Sequence, residues 1–218
     1  VVPRTRAPHP KEVLVTPISR SSTDDDAGSI NAARRDRIPP GQRLVDRLPV
    51  LHAGSVMHIP TSSWTLTISG LVTTKRTISW DELLAAPAID QVCDLHCVTG
   101  WTLLDTRWRG VRVSDLVQTE DLLPSARHVV IHATGGWTTN LPLEELFRED
   151  VLVAHEYEGR PLPAEHGGPV RLLVPRLYFW KSAKWLSGLE FTAEEQLGYW
   201  ESRGYHALGD PWLEQRYS

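Results

Sequence analysis

The chain has 218 residues, enough for one good-sized domain with its own apolar core or at most two small ones. With 41% apolar and 23% charged residues it reads as an ordinary globular chain, and its longest apolar runs are far too short to span a bilayer. A net charge of -4 excludes general attraction to nucleic acid or anionic membrane, so any anion site has to be a local basic cluster.

Residues 1–45 read as a partly irregular N-terminal arm, with prolines, the run Ser21 to Asp26 and the mixed charges Arg34 to Arg37. Thr23 or Asp24 is a candidate cap for a short helix through Ala33. Residues 46–218 read as the folded domain. Trp64 to Ser69 alternates as a strand closed by Gly70, and Ser79 to Leu84 predicts a capped short helix stopped near Pro87. Ile89 to Val98 predicts a strand that delivers Cys97 to its end, where Gly100 breaks the pattern. A short helix starts at Ser114, Val129 to His132 is a compact strand, Gly135-Gly136 turns the chain, and Pro142 to Phe147 is helical. Val151 to Tyr157, Val170 to Val174 and Leu186 to Phe191 are strands, with a loop over Gly159 to Gly168. Strands and short helices mix without a β-α-β rhythm or an internal repeat, which predicts an α+β fold of mixed sheets.

Two segments carry chemistry. The first is Cys93-Asp94-Leu95-His96-Cys97, followed by Val98-Thr99-Gly100-Trp101. Thiolate and imidazole invite zinc, but in an extended strand the two cysteines lie about 13 Å apart at ~3.3 Å per residue, too far to grip one ion. A cysteine nucleophile with a histidine base, a buried inert thiol, and a soft ligand to a cofactor-borne metal all stay open. Two cysteines so close together do not make a disulfide scaffold, which suits a reducing cytoplasm. No secretory leader is visible, although the chain starts at Val1, so a periplasmic site after removal of a leader stays open.

The second segment runs through His166-Gly167-Gly168-Pro169-Val170-Arg171, then Arg176 and Lys181-Ser182-Ala183-Lys184-Trp185. These cations form a local positive field in an acidic chain, and the glycines let backbone amides approach a ligand. Arg171 opens an apolar strand and needs an anionic partner, either a carboxylate from Glu156 or Glu190 or a bound phosphate.

In that order and with these intervals, Cys97 to Trp101, His166 to Arg171 and Lys181 to Trp185 resemble the molybdopterin-binding domain of sulfite oxidases, plant nitrate reductases and the catalytic subunit of bacterial methionine-sulfoxide reductases. The resemblance covers about Leu48 to Ser218. It implies a sulfite oxidase-type fold and a molybdenum- and molybdopterin-dependent oxidoreductase, acting by oxygen-atom transfer or two-electron redox on a small substrate. Cys97 matches the metal ligand. Leu51, His52, Thr134, His166, Arg171, Ser182, Ala183 and Lys184 match cofactor contacts, and Tyr205 falls at the active-site tyrosine.

The chain departs from sulfite oxidases where the substrate anion binds. Trp101 and Thr102 stand in place of an Asn-Arg-Arg pattern, and Val50 stands where the family has a substrate arginine. Arg107 and Arg109 are the nearby cations that could compensate. These departures favour a neutral, sulfoxide-like oxide, with sulfite as the alternative substrate. Competing readings from other classes are a cofactor-free binding module on the same fold and a cysteine hydrolase or zinc protein. No haem-binding segment is recognisable, so electrons are expected to come from or go to a separate electron-transfer protein or small redox carrier.

Overall fold

The computed structural model describes residues 32–218. The helix sought from Thr23 or Asp24 to Ala33 lies outside them, apart from the single turn α1 (Ala32–Arg35). The described residues contain two mixed sheets, four short α-helices and five 3-10 turns, in agreement with the expected α+β class.

In the first sheet, β1 (Arg43–Leu44) lies parallel to one end of β5 (Trp101–Arg112), against which β4 (Ala88–Cys97) runs antiparallel. Beyond β5 come β8 (Leu152–Tyr157), with the short β9 (Arg160–Pro161) on it, and β10 (Arg171–Leu173). The second sheet has the order β3 (Arg76–Ser79), β2 (Thr65–Gly70), β11 (Leu186–Thr192), β6 (His128–Ala133), β7 (Thr138–Pro142).

Alternation along β8 explains the layering. Val151 and Val153 enter the main core, together with Leu66 and Ile68 of β2 and Val129 and Ile131 of β6. Leu152 and Ala154 point the other way, into a second cluster with Leu95, Cys97, Trp101 and Tyr178. The first sheet is therefore buried on both faces, which is why Val151 to Ala154 is continuously apolar rather than alternating with polar residues. Cys97 belongs to the second cluster, and Leu51 and Tyr205 pack against it.

Local signals account for the helices. In α2 (Trp80–Ala85) the Ser79 hydroxyl accepts the Glu82 N–H at 3.3 Å while Glu82 Oε2 accepts the Ser79 N–H at 2.7 Å, the reciprocal cap expected from the sequence. The remaining turns are α3 (Val113–Leu116) and α4 (Leu143–Leu146).

Sequence reasoning missed β3, β7 and β5. The β5 strand is 12 residues long but carries Asp105 at φ 59° and a register shift at Arg109/Gly110, and its charges blur the alternation. The end of the stretch read as an arm is tied to the domain. Arg37 donates to both Asp94 carboxylate oxygens at 2.5 and 2.8 Å and to Asp105 at 2.5 Å, and Arg43 and Leu44 pair with Trp101 and Thr102.

Candidate active site

The β4–β5 hairpin turns at Val98–Gly100, where Gly100 takes φ 91° and its N–H bonds the Cys97 carbonyl at 2.9 Å. Cys97 thereby sits at the strand end, buried, on a cavity of about 280 Å³. Leu51, His52, Thr134, His166, Arg171, Ser182, Lys184 and Tyr205 line the same cavity. Residues separated by up to 154 positions, from Leu51 to Tyr205, are thus brought together. Ala183 is the exception. Its side chain is buried in the main core and its carbonyl is taken by the Leu172 N–H at 2.9 Å. It holds its neighbours in place and does not face the cavity.

The cationic part of the cavity is unusual in its partners. Arg171 is 1% exposed, yet among the described residues its guanidinium donates only to carbonyls, those of His166 at 2.8 Å, Ser182 at 2.5 Å and Leu172 at 3.4 Å. The expected carboxylates are engaged elsewhere: Glu190 with His132 at 2.8 Å, and Glu156 beside His155 at 3.9 Å. Lys184 likewise donates to the carbonyls of Leu51 at 2.9 Å and Glu165 at 2.5 Å. Gly167, at φ 105°, permits this approach, because a Cβ there would lie 2.9 Å from the Lys184 Cα.

Buried cations with neutral partners are driven toward their uncharged forms. Burial pulls Arg171 down to about 9. Burial, reinforced by Arg171, brings Lys184 down to about 7, and burial with both cations brings His166 down to about 4. A bound phosphate would reverse these shifts, since hydrogen-bonded anions favour the charged forms. Two buried polar atoms on cavity-lining residues, His166 Nδ1 and Trp101 Nε1, also have no hydrogen-bond partner among the described residues. The residues present therefore fit an anionic group with polar edges, next to one soft sulfur ligand.

Aromatic side chains make the remainder. Trp101 meets Phe179 edge-on at 6.0 Å, Trp180 meets Tyr205 at 5.1 Å, and Trp200 stacks on Tyr205 at 5.1 Å and 20°. All five line the cavity. Phe179 links this wall to the cationic part, with the Arg171 guanidinium 4.0 Å from its ring centre. Sequence reasoning did not assign Phe179, Trp180 or Trp200 to the site; the crowding of tryptophans near the C-terminus was the available signal. The Tyr205 hydroxyl makes no hydrogen bond to protein among the described residues, and burial raises its pKa, so it stays a neutral donor.

Neither Arg107 nor Arg109 lines the cavity; Arg109 is paired with Asp90 at 2.9 Å on the β4–β5 surface. Val50 is not at the cavity either. The zinc and hydrolase readings find no support in the geometry. Among the described residues no three His, Cys, Asp or Glu side chains are grouped to hold an ion. His96 Nδ1 is 3.0 Å from Thr102 Oγ1, and its ring packs on Trp212.

Comparison with known proteins finds relatives over most of the chain. A family model described as the oxidoreductase molybdopterin binding domain matches residues 53–200. The oxidoreductase YuiH of Bacillus subtilis is 45% identical over 84% of this chain and 92% of its own length. The protein-methionine-sulfoxide reductase catalytic subunit MsrP of Ralstonia nicotianae is 26% identical over 70% of this chain, which spans only 50% of that protein. Among solved structures, the sulfane dehydrogenase SoxCD of Paracoccus pantotrophus shares the fold, with a TM-score of 0.61 at 17% identity over 82% of this chain and 57% of that one.

Proposed function

The chain belongs to the oxidoreductase molybdopterin-binding domain family, and from that premise we propose that Cys97 ligates molybdenum while Arg171, Lys184 and His166 hold the phosphate-bearing end of the pterin. It is a molybdopterin-dependent oxidoreductase. The observation that carries the site assignment is the pair of cations, buried Arg171 and half-buried Lys184, bonded among the described residues only to carbonyls, on the cavity that also receives the Cys97 sulfur. When bound, the cofactor supplies two-electron redox change and oxygen-atom exchange at the metal. The protein's part is to fix one soft ligand, to neutralise the phosphate and to shape the open side.

On that open side we place a neutral oxide of the sulfoxide type. Trp101, Trp180 and Trp200 offer apolar faces, Tyr205 offers a hydrogen bond to the substrate oxygen, and the cavity cations Arg171 and Lys184 are those assigned to the pterin phosphate. A dianion such as sulfite would be desolvated there without a counter-charge. Reduction of a sulfoxide to a thioether and water consumes two electrons and two protons, delivered by a separate electron-transfer protein or small carrier. Among the described residues no helix is long and apolar enough to cross a membrane. Both cysteines are free, which suits a cytoplasmic, reducing setting.

The test is metal and pterin analysis of the native protein and of Cys97→Ser, with turnover of a small aryl methyl sulfoxide set against sulfite. Native protein should hold molybdenum and pterin near one per chain, and the variant should fold but lose redox activity. Full activity in Cys97→Ser refutes the ligand assignment, and efficient sulfite oxidation refutes the substrate class.

A further inference from the structure

We infer that Thr99 donates a hydrogen bond to the metal-ligating sulfur and thereby sets the reduction potential of the centre; this rests on the assignment of Cys97 as the ligand. Thr99 Oγ1 lies 3.2 Å from Cys97 Sγ, two residues away across the hairpin turn, and Thr99 itself lines the cavity. Among the described residues this hydroxyl has no other hydrogen-bond partner. The Thr99 backbone N–H is directed at the same sulfur, and both donors oppose the rise that burial imposes on the thiol.

The turn is anchored on its other side by three hydrogen bonds. Gln42 Nε2 donates to the Cys97 carbonyl at 3.1 Å, Arg216 Nη1 to the Val98 carbonyl at 2.6 Å, and the Arg43 N–H to the Gly100 carbonyl at 3.0 Å. These clamps come from the start and the end of the described chain and grip the outside of the turn. The sulfur and its donors thus share one turn that is hydrogen-bonded to both neighbouring segments.

A thiolate bound to a metal pushes electron density onto it, and that push stabilises the oxidised state. A donor on the sulfur withdraws part of this density, stabilises the reduced state and raises the potential. A hydrogen bond to a charged group is strong enough to matter at this scale. Thr99 is exposed at the cavity mouth, so its replacement leaves the core intact.

The experiment is a redox titration of the molybdenum-loaded protein, native and as Thr99→Val, Thr99→Ser and Cys97→Ser. It is followed by the thiolate-to-metal absorption band and by the EPR signal of the one-electron state. Thr99→Val should keep the band but lower the potential, changing the reduced-to-oxidised ratio at a fixed potential about tenfold, equivalent to about 59 mV for one electron. Thr99→Ser should titrate like the native protein. An unshifted Thr99→Val, or a Thr99→Ser displaced as far as Thr99→Val, overturns the inference while leaving Cys97 as ligand. A band that survives in Cys97→Ser, or is missing from the native protein, overturns the ligand assignment and the inference with it.

Discussion

Separating Lys181 from Glu201 should cost more stability than any other single polar change behind the aromatic wall. Both side chains are 0% exposed, with Lys181 Nζ 2.6 Å from Glu201 Oε1. The same carboxylate oxygen accepts the Thr139 hydroxyl at 2.6 Å and the Trp180 indole N–H at 3.0 Å. Lys181 adds bonds to the Asn140 carbonyl at 2.8 Å and side-chain oxygen at 3.1 Å. One buried oxygen thus ties β7, the turn carrying Trp180, and the segment carrying Trp200 and Tyr205.

In Lys181→Met the carboxylate keeps two neutral donors and loses its counter-charge. In Glu201→Gln the ammonium loses its counter-charge and keeps only neutral acceptors, those of Asn140 and the amide oxygen. Each should cost ~3–5 kcal/mol, the penalty of leaving one buried charge unpaired. The double variant removes both charges and should recover much of that loss, so the two single costs should exceed the double cost by ~2 kcal/mol or more. Equilibrium urea unfolding of the metal-loaded proteins measures all three. If the single costs sum to the double cost within ~0.5 kcal/mol, the pair is not coupled and the reasoning fails.

Removing either cation from the phosphate end should loosen the cofactor: Arg171→Met and Lys184→Met should each weaken its retention ~10- to 100-fold, the range of one charge-assisted hydrogen bond. Pterin and molybdenum content after dialysis checks this, and full retention in both variants would contradict it. Acid should destabilise the cofactor-free protein through His96, which burial, opposed by Asp94, holds down at about 4. The unfolded chain takes up that proton below about 6.5 while the fold resists it, so stability falls as pH drops from about 6.5 toward 4, by up to ~3 kcal/mol for this group. Thermal melts at several pH values should show a flatter acid limb in His96→Asn, and identical limbs would exclude His96 as a contributor.

How far the sequence can be read is visible in particular residues. Ser79 and Glu82 announce a helix start three residues apart, and Ile89 to Val98 announces a strand, because caps and short apolar runs act over a few neighbours. By contrast, β5 escapes notice because its side chains face two different cores and a partner on either side. Leu103 and Trp108 belong to one cluster and Val111 to the other, and its charged residues interrupt the pattern between them. Arg171 shows a different limit. Its position at the head of an apolar strand demands a partner, but only the three-dimensional arrangement reveals that the nearby carboxylates are occupied and that carbonyls surround it.

From the order of residues alone come the α+β class, the lone sulfur at the end of a strand, and the later cluster of cations with glycines beside it. Each is a short-range property of residue type and spacing. Tertiary structure alone decided that Ala183 turns into the core, that Arg107 and Arg109 stay on the outer surface, and that Trp101, Phe179, Trp180, Trp200 and Tyr205 close on one cavity with Cys97. Which side of a strand or turn faces a cavity depends on contacts between segments far apart in the chain, and spacing along the backbone does not encode those distances.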